Sequence, residues 1–261
     1  MAAESGKIDP MHQFQVEPLV PLNVGGYDLS FTNSALFMVV VLAVIWVFML
    51  GGMKRQLVPG RWQVAVEGAT GFISNMLAQN VGAEGKKFVP YVFSLFMFII
   101  VANLLGMLPL GIVPGVHAFT VTSHFTVTGV LALISFAIVL VVGFGKHGLH
   151  FFSLFVPQGT PLPLVPLLFV IELFSFLVRP FSLALRLFVA MTAGHVLMKV
   201  LAGFVINSLN AEALWVAPLV ALPSFLLMIG ISLLELLICA IQAYVFALLT
   251  SFYLNDAVNL H

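Results

Sequence analysis

Residues 166–206 read PLLFVIELFSFLVRPFSLALRLFVAMTAGHVLMKVLAGFVI, 41 residues of helix-compatible, mostly apolar sequence, and residues 217–254 supply 38 more of the same kind. At 1.5 Å per residue each would make a helix roughly 60 Å long, about twice the hydrocarbon thickness of a bilayer. Dividing each into two upright spans fails on the first. A break at Pro180 leaves 14 residues from Pro166 to Arg179, fewer than the ~17 to 25 that a crossing needs. Two long, strongly tilted antiparallel helices are therefore expected, joined by a loop around Asn207 to Glu212, with 166–261 forming one tilted hairpin.

Composition agrees with a chain built for lipid. Of 261 residues, 61% are hydrophobic, 8% are charged and 25 are Phe, with a mean hydropathy of +1.15. A soluble domain carries roughly 25% charged residues, so a water-soluble fold is excluded. The 10 basic residues balance the 10 acidic ones and form no run or patch of the kind that binds nucleic acid. Cys239 stands alone in an apolar run, which excludes a disulfide framework and a cysteine metal cluster.

Upstream of the hairpin, 1–33 is a polar leader holding Glu4, Lys7, Asp9, Glu17 and Asp28, and 34–53 is a first span. The connection 54–87 carries Lys54, Arg55, Arg61, Lys86 and Lys87, five of the ten basic residues. The positive-inside rule puts that connection in the cytoplasm and the N-terminus outside. Within it Trp62, Val66, Ala69, Ile73, Met76 and Leu77 share one helical face, and Gln63, Glu67 and Ser74 the other. Such a helix suits either the membrane surface or packing against the spans. Segment 88–145 reads as a transmembrane hairpin, with spans Phe88–Val113 and Thr126–Phe144 around an external connection that holds Pro109, Pro114, His117 and His124 but no Lys or Arg. Lys146, His147 and His150 open a cytoplasmic loop, 146–165. The fold class expected is an all-α polytopic membrane protein with about five crossing helices and one interfacial amphipathic helix.

The C-terminal hairpin holds Glu172, Arg179, Ser182, Arg186, His195, Lys199, Glu235, Gln242 and Asp256. An ionisable group at the bilayer centre costs at least ~2.5 to 3.5 kcal/mol, so such groups line water or face a partner. Arg179 and Lys199 also suit anchors whose charged heads reach the interface, and Asp256 a frayed end. In antiparallel helices, level residues share a constant sum of residue numbers. That sum is 430 for His195 with Glu235, and 428 both for Arg186 with Gln242 and for Glu172 with Asp256. Three polar rungs are expected. Glu172, Arg179, Ser182 and Arg186 fall in one stripe of the first helix, whereas His195, nine residues beyond Arg186, faces the opposite way unless the helix bends near Gly194. Arg stays protonated at physiological pH while Glu and His exchange protons. The pattern is two proton-conducting vestibules separated by a fixed positive charge.

Ser182-Leu-Ala-Leu-Arg186-Leu-Phe, Ala193-Gly194-His195, Gln242-Ala-Tyr-Val-Phe and Asn103-Leu-Leu-Gly-Met-Leu-Pro109 resemble the signatures of the subunit a family of rotary F-type ATP synthases. The resemblance covers order and spacing from about residue 30 to the C-terminus. It implies a non-catalytic proton-channel stator of the bacterial inner membrane, ahead of the mitochondrial one. The implied partners are a c-ring of proteolipid subunits, peripheral-stalk b subunits, the whole synthase and the lipid bilayer. By this resemblance Arg186 would face the ring carboxylate. His195, Glu235 and Gln242, with Asn103 nearby, would line the outer half-channel, and Glu172, Ser182 and Asp256 the cytoplasmic one. His195 and Glu235 follow the mitochondrial order rather than that of many bacterial members. The chain departs from the family at Ala190, where an Asn usually stands, and at Gly106, where some relatives have an acid.

The alternatives are a stand-alone ion-coupled secondary transporter, which would normally show inverted repeats and broken helices, and a structural membrane subunit. A membrane-embedded enzyme has no HExxH, paired-acid or Ser/His motif to support it. No cofactor or metal is expected, and without a Gly-rich phosphate loop any ATP chemistry belongs to other subunits.

Overall fold

The computed structural model of the chain describes residues 15–21, 23–24, 27–28, 30–53, 58–108, 119–156, 161–209 and 216–259. Lys54, Arg55, Pro109, Pro114, His117 and the part of the hairpin loop from Asn210 to Glu212 lie outside the described residues.

The architecture is all-α, with six α-helices among the described residues besides short 3-10 turns: α1 Asn33–Gly52, α2 Arg61–Asn80, α3 Val89–Met107, α4 Phe125–His147, α5 Val165–Leu209 and α6 Val216–Val258. Five helical stretches are long and apolar enough to cross a membrane, α2 being the helix left out. Within the polar leader two short antiparallel strand pairs form, Pro18–Val20 with Phe31–Thr32 and Asn23–Val24 with Tyr27–Asp28. Asn33 ties the leader to α1, because its amide donates to the Gln15 carbonyl at 3.0 Å while its side-chain oxygen accepts from the Glu17 N–H.

Local chemistry sets the helix ends. The Thr32 hydroxyl accepts from the Ala35 N–H and caps α1. At the end of α3 Leu108 is extended, with ψ 134°, as expected for a residue whose successor is Pro109. The helix ends at Met107, and the expected end of that span at Val113 lies outside the described residues. Helix α4 closes on Gly148 at φ +54°, a conformation that glycine adopts without a Cβ clash.

Helix α2 packs on α1, α3 and α6, burying Val66, Ile73, Met76 and Leu77. Its face differs from the expected one at Gln63, which is buried and donates to Glu67 Oε1 at 2.7 Å, an i,i+4 bond that engages the amide nitrogen but not its oxygen. Trp62 stays half exposed while its indole donates to the Phe48 carbonyl at 2.8 Å, tying α2 to α1.

Helices α5 and α6, of 45 and 43 residues, form the long hairpin and pack mainly on each other. Each runs about 65 Å. Pro180 sits inside α5 and Pro223 inside α6 without ending either helix. Two buried clusters hold the bundle together. One gathers Ile73, Leu77, Val92, Phe151, Phe176 and Leu254 near the α4 C-terminus. The other gathers Ile99, Leu187, Met191, Cys239, Ala243 and Phe246 between α3, α5 and α6. The far faces of α5 and α6 stay apolar and exposed, as a lipid- or partner-facing surface requires.

Candidate functional site

Two polar clusters lie along the α5–α6 seam, with Arg186 between them in sequence. The first is in the interior. His195 on α5 and Glu235 on α6 are both buried, at 6% and 1% exposure, and His195 Nδ1 stands 3.5 Å from Glu235 Oε1. The next residue back makes that approach possible. A Cβ on Gly194 would come within 2.7 Å of Glu235 Oε1, so any larger residue would make the carboxylate shift.

The other ring nitrogen of the same histidine is engaged too. His195 Nε2 lies 2.8 Å from Thr120 Oγ1, and both groups are buried. Thr120 belongs to a short run ahead of α4. There the Ser123 hydroxyl donates to the Thr120 carbonyl at 2.6 Å, and the Thr122 hydroxyl donates to Asn103 Oδ1 at 2.6 Å. A Cβ on Gly106 of α3 would meet Thr120 Oγ1 at 2.5 Å, so a second glycine seats this hydroxyl. Thr120 of this run and Glu235 of α6 thus meet at one histidine of α5, and Asn103 of α3 holds the same run through Thr122. The Glu235 carboxylate oxygens and Asn103 Nδ2 are buried with no hydrogen-bond partner among the described residues. Buried polar atoms are normally paired, so the Glu235 carboxyl and the Asn103 amide stand out as polar groups left open. Beside this run His124 stacks on Phe119, with ring centroids 4.8 Å apart. Burial holds its imidazole below the ordinary histidine value, so at neutral pH it adds no positive charge there.

The second cluster lies toward the start of α5 and is half exposed. Arg179 Nη1 donates to Asp256 Oδ2 at 2.7 Å, and the guanidinium also lies over the rings of Phe176 and Tyr253, at 5.4 and 5.1 Å from their centroids. The Ser182 hydroxyl donates back to the Arg179 carbonyl at 2.9 Å. Glu172 is half-buried and has no hydrogen bond or ion pair among the described residues. The expected rung between Glu172 and Asp256 is therefore not made, since Asp256 bonds Arg179 instead. Helical side chains lean toward their own N-terminus. On antiparallel helices both leans raise the index sum of a touching pair, most of all for a long arginine. The observed sums are 435 for Arg179 with Asp256 and 430 for His195 with Glu235.

Between the clusters Arg186 points outward and is exposed. Val189, three residues on and on the same face, is apolar and 53% exposed. Arg186 makes no ion pair among the described residues. Gln242 is half-buried and forms no hydrogen bond with Arg186. Helix α5 runs unbroken through Gly194, and His195 faces the interior while Arg186 faces out.

His195 and Glu235 were named from the charge pattern and Asn103 from the family resemblance, while Thr120, Thr122 and Ser123 were not anticipated. The signal was the hydroxyl run Thr120-Val-Thr-Ser123 abutting an apolar helix, which reads first as helix capping. Among the described residues no group of three His, Cys, Asp or Glu is placed to hold a metal.

Residues 34–255 match the family model described as ATP synthase A chain. The chain is 73% identical over 263 residues to the ATP synthase subunit a of Rhizorhabdus wittichii, covering 100% of both chains. It is 72% identical over 262 residues to that of Sphingopyxis alaskensis, again covering 100% of both. With the ATP synthase subunit a of Erythrobacter litoralis it shares 66% over 264 residues, covering 100% of each.

Proposed function

The chain belongs to the ATP synthase A chain family, and from that premise we propose that it is the stator across which protons load and unload a rotating ring of proteolipid subunits. The observation that carries this reading is Arg186, exposed on an apolar face with a polar cluster to either side along α5. It sits 9 residues from His195 and 14 from Glu172, about 13 Å and 21 Å along the axis.

In this reading the five spans cross a bacterial inner membrane with the N-terminus outside and the connection 54–87 in the cytoplasm. A proton enters the outer half-channel past Gln242, Asn103, Glu235 and His195 and neutralises a ring carboxylate. The neutral carboxylic acid can then turn into lipid, because the cost of burying a charge has gone. After nearly a full rotation it reaches the cytoplasmic half-channel at Glu172 and Ser182, beside Asp256, and releases its proton. Arg186 attracts the bare carboxylate and repels a proton that would otherwise cross directly between the half-channels. Each charge crossing 100 mV delivers about 2.3 kcal/mol. That energy becomes rotation only while the direct path is closed. The peripheral-stalk b subunits would hold the stator still, and ATP chemistry would reside elsewhere in the complex.

A photo-crosslinking residue at Val189, beside Arg186, tests the partner. It should capture a small proteolipid subunit in native membranes, whereas the same residue at Val39 on α1 should not. Capture at neither position, with the complex present in the membrane, would refute the reading.

A further inference from the structure

Arg179 and Arg186 are seven residues apart on α5, so they fall within about 20° of one stripe and roughly 10 Å of each other along the axis. Two cations on one ring-facing stripe pose a problem for the reading above. A carboxylate travelling between Arg186 and the Glu172 end passes the level of Arg179, and at low dielectric a bare guanidinium attracts it strongly. The two arginines are treated differently. Arg186 is exposed and has no ion pair among the described residues. Arg179 is bonded to Asp256 at 2.7 Å and covered by Phe176 and Tyr253. Tyr253 and Asp256 are three residues apart on α6, so one face of α6 supplies both the ring and the carboxylate.

We infer that Asp256 is a charge-selecting residue: by neutralising Arg179 it leaves Arg186 as the one cation on that stripe able to hold the ring carboxylate. This inference rests on the reading under Proposed function. It gives Asp256 a role other than carrying protons. A proton carrier must release its carboxylate at every turnover, and this one is engaged with a guanidinium.

The test is epistasis in inverted membrane vesicles carrying the whole complex. ATP-driven acidification is normalised to the amount of this subunit in the membrane. Asp256→Asn and Asp256→Ser are run side by side, so that one poorly assembling variant does not decide the result. Each exposes Arg179 as a second trap and should slow pumping about tenfold, while Arg179→Gln alone and each double variant with it should pump within about twofold of the unaltered complex. Three results would overturn the inference: double variants as slow as the Asp256 single variants, Arg179→Gln as slow as those, or normal pumping in the Asp256 variants. Failure of the underlying reading is separable, because it appears as a missing crosslink at Val189 whatever the Asp256 variants do.

Discussion

The two ends of the α5–α6 seam use the same kinds of side chain in opposite ways. At one end His195 and Glu235 are sealed inside the bundle, and the carboxylate is left without a described hydrogen-bond partner. At the other, Asp256 is half exposed and tightly bonded to Arg179. Burial alone does not separate a proton site from a structural ion pair. What separates them is whether the carboxylate remains available. A carboxyl with no hydrogen-bond partner keeps its oxygens free to take up a proton, while a carboxylate bonded to an arginine must first break a charge-assisted bond.

The sharpest way to break this contrast is at the unpaired end. Glu235→Gln keeps the shape and removes the exchangeable proton, so ATP-driven pumping should fall about 100-fold, the usual scale for losing a proton-transfer group. Exchanging His195 and Glu235 should retain more pumping than either single loss, and equal loss in all three would show that the pair does not work as a unit. Next comes Gly194→Ala. Its Cβ would fall 2.7 Å from Glu235 Oε1, and a displacement of that size should lower pumping roughly tenfold with the subunit still in the membrane. A smaller change is expected from Thr120→Val, which removes one hydrogen bond worth about 1 kcal/mol. Pumping should drop only a few-fold and its pH profile should shift, while Thr120→Ser, which keeps the hydroxyl, should restore both. The smallest effect belongs to the exposed pair of Lys146 and Glu84, 2.8 Å apart. Glu84→Gln should leave pumping and subunit abundance unchanged, since solvent screens such pairs.

How much of this could be read in the sequence follows from the range of the physics involved. The lengths of α5 and α6 were legible because an apolar run twice the membrane thickness leaves few choices. The buried face of α2 was legible from its 3.6-residue period, except at Trp62, which stays half exposed, and at Gln63, whose local bond to Glu67 no hydropathy pattern reveals. Arg186, His195 and Glu235 stood out because charge is scarce in this chain. The true partner of Asp256 did not, because level residues are not touching residues once side chains lean along their helices. Thr120 was hidden for a different reason. Its significance lies in a contact 75 residues away, made possible by a missing Cβ at Gly106 on a third element.

The central claim is that Arg186 couples proton entry to ring movement by holding the bare carboxylate and closing the direct path. Inverted vesicles carrying Arg186→Ala in the assembled complex test it most directly, with ATP-driven acidification and passive proton permeability measured on one preparation. The expected result is abolished pumping with unchanged or raised passive permeability. Normal ATP-driven pumping in that variant would contradict the account.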